Sequence, residues 1–131
     1  MSHAGGGPID EGAVTMNETK YREAEELLWD RVGFHPEEQM VALATTGTRV
    51  RLQVIGDGPT VLFIHGGPNA GSTWAPIVDA FDGYRRVLVD RPGTGLSEPY
   101  PDVTDRDSVL RFGDRFVDDV FTALGLSLIH I

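Results

Sequence analysis

The chain has 131 residues, 40% hydrophobic and 24% charged, with a formal net charge of −9. That length fits one modest domain or part of a larger one, and the composition is that of a globular protein rather than a disordered one. One lysine, Lys20, and scattered arginines exclude a nucleic-acid surface, which needs clustered cations, and zero cysteines exclude disulfides, a thiolate nucleophile and a Cys-based zinc site.

His3, His35, His65 and His130 stand far apart, and none forms an H-E-x-x-H pair, so no metal is expected. The first residues lack a basic stretch followed by an apolar one, so no secretory signal is read. No apolar run approaches the ~20 residues of a membrane span. A cytoplasmic location with no membrane partner is the default expectation.

Residues 1–15 are Gly-rich without hydrophobic period and are expected to be a disordered N-terminal segment, with Met16 an alternative start to Met1. The next segment, residues 16–36, reads as a helix from Asn17 to about Val32. Tyr21, Ala24, Leu28 and Val32 recur at spacings of three and four, and Gly33 and Pro36 end the run. Residues 37–125 form the main body. A strand is predicted over Gln39 to Ala44, a turn at Thr46-Gly47, and a second strand from Arg49 to Ile55. In that strand Val50, Leu52 and Val54 face one way and Arg49, Arg51 and Gln53 the other, the pattern of an antiparallel strand with one wet face.

Gly56-Asp57-Gly58-Pro59 is a turn, and Val61 to Ile64 is short and wholly apolar, as a buried central strand would be. A helix is expected from Ser72 or Thr73 to Phe81, a buried strand over Arg86 to Val89, and a last helix from about Asp107 to Leu124. On that helix Leu110, Val117, Phe121 and Leu124 share one face. Strand, helix, strand, helix after a hairpin implies an α/β fold with a mixed, mostly parallel sheet, flanking helices and right-handed crossovers.

Two loops carry the chemistry. In the first, an apolar strand runs into His65-Gly66-Gly67-Pro68-Asn69, and the glycines permit a sharp bend and close approach to a bound group. A strand-to-helix turn aims main-chain N–H groups above the sheet edge, the arrangement an oxyanion hole needs. Gly67 N–H is the candidate donor, and one such donor is worth about 2.7–4 kcal/mol in a transition state. Read alone, the turn also fits a tight connection with no ligand. Gly66-x-x-x-x-Gly71-Ser72-Thr73 has the glycine spacing of a phosphate-binding loop, yet Ser72 stands where a lysine is needed, and Pro68 removes a donor. The second loop, Asp90-Arg91-Pro92-Gly93-Thr94-Gly95-Leu96-Ser97, has a G-x-G after a strand, but Glu98 replaces the third glycine of a dinucleotide fingerprint.

Taken together, the two loops resemble the α/β-hydrolase superfamily over about Gln39 to Leu124. His65-Gly66-Gly67-Pro68 looks like that family's H-G-x-P oxyanion turn, and Asp90 to Ser97 looks like its D-x-x-G-x-G-x-S loop. The resemblance implies an N-terminal part of that fold. Gly67 would supply an oxyanion N–H, His65 would orient the turn rather than act as base, and Pro68 would stiffen it. Asp90 and Ser97 would hold the second loop, with Gly93 and Gly95 shaping it. Asn69 and Trp74 would line the pocket, although Trp74 also fits simple packing of its helix. The implied activity is hydrolysis of an ester, amide or similar small molecule without a cofactor, by a nucleophile-His-acid triad.

No G-x-S-x-G or G-x-D-x-G elbow is found in the 131 residues. The chain therefore reads as truncated before that elbow, and it is expected to be inactive alone. Alternatives are an Asp nucleophile, as in epoxide hydrolases and haloalkane dehalogenases, or a non-catalytic binding module of the same fold. The turn also resembles that of proline iminopeptidases, which have glycine where Asn69 stands. Residues 126–131, Leu-Ser-Leu-Ile-His-Ile, fit the start of a fifth strand. They are also the translation of CTG-TCT-CTT-ATA-CAC-ATC, which resembles a transposon end used as a sequencing adapter; on that reading His130 carries no function.

Overall fold

The computed structural model describes residues 11–66, 69–99 and 105–125, with side chains described from Asn17 onward. The chain divides into two compact units, Met1–His35 and Pro36–Ile131. In the first, helix α1 runs over Glu11–Val32, so residues 11–15, expected to lack structure, are helical. Extending a formed helix adds one hydrogen bond per residue, and an interior glycine such as Gly12 costs only about 1 kcal/mol against that gain. Gly33, at φ 87°, ends the helix as expected. Its N–H and that of Phe34 both reach the Trp29 carbonyl, at 2.9 and 3.1 Å, so the last turn closes on itself. Residues 1–10 lie outside the described residues.

The second unit is built on a four-stranded sheet of β1 (Glu37–Ala42), β2 (Arg49–Ile55), β3 (Thr60–Ile64) and β4 (Arg85–Val89), in the order β1-β2-β4-β3. The sheet is mixed, with β1–β2 and β2–β4 antiparallel and β3–β4 parallel. Its described part leans antiparallel because the opening hairpin comes first, and the parallel crossovers start only with β3. At the hairpin, Gly47 (φ 75°) donates to Leu43 O at 2.7 Å, and Leu43 N–H returns to Thr48 O at 2.9 Å. At the next turn, Gly58 sits at φ 120° where a Cβ would collide with the Gly83 carbonyl. Only glycine permits that crossing.

Alternation in β2 is as predicted, but the face expected to be wet is exposed only at Arg49. Val50 and Leu52 join Leu43, Val87 and Val89 in the main core. On the opposite face Arg51 and Gln53 are also buried. The reason is a second layer. Between β3 and β4 the chain forms a 3₁₀ helix over Gly71–Phe81 rather than the expected α-helix. Pro76 lies inside it and can neither donate to the ladder nor tolerate an α-helical carbonyl one turn back. This segment covers the sheet face that carries Phe63 and Leu88. Phe63 stacks on Trp74 (5.6 Å) and meets Phe81 edge-on (5.0 Å), while Arg86 donates to Val78 O at 2.8 Å.

Helix α2 (Arg106–Ala123) covers the other face. Its Asp105 cap accepts from both Ser108 N–H and Ser108 Oγ at 2.7 Å. The buried residues are Phe116 and Val120, with Phe112 packed beside them, whereas Leu110 is 52% exposed. The packing stripe therefore lies about one residue round from the Leu110-Val117-Phe121-Leu124 face, of which Val117 and Leu124 touch the core from its margin. The helix is latched to the hairpin by Asp119, which accepts from Thr45 N–H (3.0 Å) and Thr45 Oγ1 (3.1 Å).

Strand β3 departs from its predicted central place. Among the described strands it has a neighbour on one side only, and Ile64 at its end is 37% exposed. Its apolar run is that of a strand meant for burial; residues 126–131, read as an adapter-derived or truncated tail, lie outside the described residues.

Candidate functional site

The parallel pair β3–β4 points its carboxyl ends at the same place, with Ile64 opposite Val89 in register. The two loops singled out by sequence leave from those ends, which is where open α/β sheets bind ligands. Gly67 and Pro68 lie outside the described residues, so the geometry begins with the residues that flank them.

His65 is 2% exposed and turned into the second loop. Arg91 N–H donates to His65 Nε2 at 3.1 Å, and Thr94 Oγ1 stands 3.1 Å from the same nitrogen. Thr94 Oγ1 donates to Arg91 O at 2.6 Å, so its proton is engaged elsewhere. An Nε2 that accepts from a backbone amide assigns the ring proton to Nδ1, which faces Gly66 O at 3.3 Å. The imidazole is thus a bracket between the loops.

Asp90, at the exit of β4, is 1% exposed and gathers donors from three segments. Gly71 N–H, the first amide of the 3₁₀ helix, reaches Oδ1 at 2.7 Å. Leu96 N–H reaches Oδ2 at 3.1 Å and Arg51 Nε reaches Oδ2 at 2.9 Å. Charge-assisted bonds of this kind are roughly twice as strong as neutral ones. Arg51, itself 1% exposed at its side chain, also pairs with Glu38 at 3.3 Å.

Ser97 binds backbone on both sides, its Oγ donating to Asp90 O at 2.5 Å and accepting Arg51 N–H at 2.8 Å. Glu98 continues the pattern, donating from N–H to Arg49 O (2.9 Å) and accepting Arg49 N–H on its side chain (2.8 Å). The loop therefore runs beside β2 where β4 has left the sheet. Gly93 (φ 81°) and Gly95 (φ 51°) take left-handed turns within it, and a Cβ on Gly95 would overlap the Asp90 carboxylate.

Of the remaining predicted residues, Asn69 is exposed and donates from N–H to Gly66 O at 3.3 Å, and a Cβ on Gly66 would meet nothing within 4 Å. Trp74 packs on Phe63 inside the second layer, and its indole N–H is buried without a partner among the described residues. Sequence reasoning missed Arg51, Thr94 and Asp119. Beside the loops an apolar groove of about 470 Å³ is lined by Ile64, Pro92, Phe112, Phe116 and Val117 among others. Among the described residues no group of three acidic or histidine side chains could hold a metal ion, and no helix is long and apolar enough to cross a membrane.

No curated protein matches the sequence. Solved structures do. The chain is similar to a haloalkane dehalogenase from Agrobacterium tumefaciens at 29% identity and TM-score 0.60, over 72% of this chain and 31% of that one. It is similar to an epoxide hydrolase from Vigna radiata at 27% identity and TM-score 0.60, over 72% of this chain and 30% of that one. A carboxylesterase from Bacillus subtilis shares the fold at 23% identity and TM-score 0.64, over 86% of this chain and 39% of that one. The chain thus spans about a third of the length of the structures it resembles. The alpha/beta hydrolase fold pattern matches residues 59–128, more than half of the sequence and both loops included, and the chain belongs to the alpha/beta hydrolase fold family.

Proposed function

We propose that this chain forms the oxyanion side of a hydrolase acting on an ester, amide or similar small molecule. The single observation that carries the reading is the bracket at His65. It ties the turn after β3 to the loop after β4, at the carboxyl ends of a parallel pair. In the proposed reaction a nucleophile attacks the carbonyl carbon, a histidine takes the nucleophile's proton, and an acid orients that histidine. Those three groups come from sequence other than these 131 residues. Gly67 N–H receives the negative charge that forms on the carbonyl oxygen, with a second donor from the residue after the nucleophile. His65 does not serve as base, because its Nε2 is already the acceptor of the Arg91 amide. Gly66, Gly93 and Gly95 give the loops their shape, Pro68 limits the freedom of the turn, and Asn69, which is exposed, would line the pocket. No cofactor enters this chemistry, and the site is cytoplasmic.

A second reading is favoured by identity. Of the three structures named above, the haloalkane dehalogenase at 29% and the epoxide hydrolase at 27% share more identity than the carboxylesterase at 23%. In that version an Asp carboxylate attacks carbon, and the ester so formed is hydrolysed. The deciding experiment uses the full-length protein that carries this chain, assayed on p-nitrophenyl esters, an aryl epoxide and a haloalkane, with fluorophosphonate labelling in parallel. Ester turnover with covalent labelling of a serine supports the first reading. Epoxide or haloalkane turnover without labelling supports the second, and turnover of none of them removes both in favour of a binding module.

A further inference from the structure

We infer that Arg51 is a positioning residue: through the Asp90 carboxylate it holds the Gly71 and Leu96 amides, and so fixes the two loops against each other. The consequence for turnover rests on the hydrolase reading above. The clamp itself rests on geometry alone.

The stretch from His65 to Gly71 is held at both of its described ends by the second loop. At one end His65 accepts from Arg91, and at the other Gly71 N–H donates to Asp90 at 2.7 Å. Asp90 uses its other oxygen for Leu96 at 3.1 Å, so one carboxylate serves an amide of each loop. A carboxylate buried to 1% exposure persists there only with a counter-charge, and Arg51 Nε supplies it at 2.9 Å. Arg51 is well placed to be rigid. Its main chain lies within β2, its N–H is tied to Ser97 Oγ at 2.8 Å, and its carbonyl accepts Asp90 N–H at 3.0 Å. Gly71 itself has little room to drift, since a Cβ there would stand 3.1 Å from Asp90 Oδ1 and 3.3 Å from Leu88 Cβ.

An asparagine at position 90 presents one acceptor oxygen where the carboxylate presents two, so one loop amide must be released. A methionine at position 51 fills similar volume but carries no charge and no donor. The methionine leaves the buried Asp90 carboxylate without its Arg51 counter-charge, so each change weakens the hold on the Gly71 or the Leu96 amide. A displacement of about 1 Å in a group that meets the transition state costs up to about 100-fold in rate.

The test uses the full-length protein with Arg51→Met, Arg51→Lys and Asp90→Asn, read by amide hydrogen exchange and by steady-state kinetics on p-nitrophenyl acetate. Arg51→Met and Asp90→Asn are expected to speed exchange at Gly71 or Leu96 by about tenfold or more, with the β1 and β4 amides unchanged. They are expected to lower kcat about 10- to 100-fold with KM within about twofold, and Arg51→Lys to recover part of the loss. Should Arg51→Met fail to fold, the Lys and Asn variants carry the same expectation. Unchanged exchange at both amides overturns the clamp, as does faster exchange spread evenly over the sheet. Wild-type protein that turns over no ester, epoxide or haloalkane overturns the hydrolase reading instead, and the exchange data then judge the clamp by themselves.

Discussion

Single residues in the second loop are held by contacts that leave almost no room for change. Gly95 is the sharpest case. Its φ of 51° is left-handed, and any Cβ would overlap the Asp90 carboxylate. A left-handed residue costs about 1–2 kcal/mol before the collision is counted. Gly95→Ala is therefore expected to destabilise the fold by more than about 2 kcal/mol, read as a lower urea midpoint with unchanged slope. Gly113 makes the contrast, since a Cβ there meets nothing, and Gly113→Ala on α2 is expected to stabilise by about 0.5–1 kcal/mol. The sequence marks the second loop as turn-rich and places Asp90 and Ser97 within it. Arg51 is hidden for a physical reason: a charged residue in an alternating strand has the same pattern whether its face meets water or a second layer. The partner that decides between them lies 39 positions away.

Elements were legible where local chemistry sets their ends and less so where distant packing does. Gly33 and the β2 boundaries follow from backbone freedom and alternation, and both stand where predicted. The type of the helix between β3 and β4 was not legible from apolar spacing alone, although Pro76 was the signal for it. On α2 two neighbouring stripes of apolar residues compete, and only contact with the sheet selects Phe112, Phe116 and Val120. The start of α2 gives a pH prediction. Hydrogen bonds from Ser108 hold the Asp105 carboxyl below its ordinary value of 3.8. A folded-state value below the unfolded one stabilises the fold fully above the unfolded value, and that contribution fades as pH falls through the folded one. Lowering the pH from neutral to about 3 should thus loosen the first turn of α2 in the parent protein. In Asp105→Asn the same loss should be present at all pH values. Exchange rates of the Ser108 and Val109 amides across that range check it, and equal pH sensitivity in both proteins would refute it.

At the scale of the whole molecule, the described strands end in two edges, β1 of the hairpin and β3 of the parallel pair. Among the described strands β3 is paired on one side only, and its Ile64 lines the apolar groove together with Val109, both of them exposed. Such an edge templates pairing with another chain. The 131-residue chain by itself is expected to associate with rising concentration in sedimentation velocity and to show no saturable ester hydrolysis. Ile64→Lys should reduce the association by placing charge on the edge. A monomer at all concentrations, or saturable turnover, would contradict these expectations. That the fold belongs to its family was legible because two short loops stand in order at strand ends. Substrate choice was not, because none of the residues seen here selects between an acyl group, an epoxide and a haloalkane.

The run of Ser97 and Glu98 along β2 has an evolutionary corollary. Because the Ser97 hydroxyl and the Glu98 carboxylate make these bonds beside one main-chain pair, the stretch depends on those two side chains and on its residue count. Inserting or deleting one residue between Asp90 and Glu98 would shift every rung at once. Related genes should keep the length of this stretch and vary least at Asp90, Gly95 and Ser97.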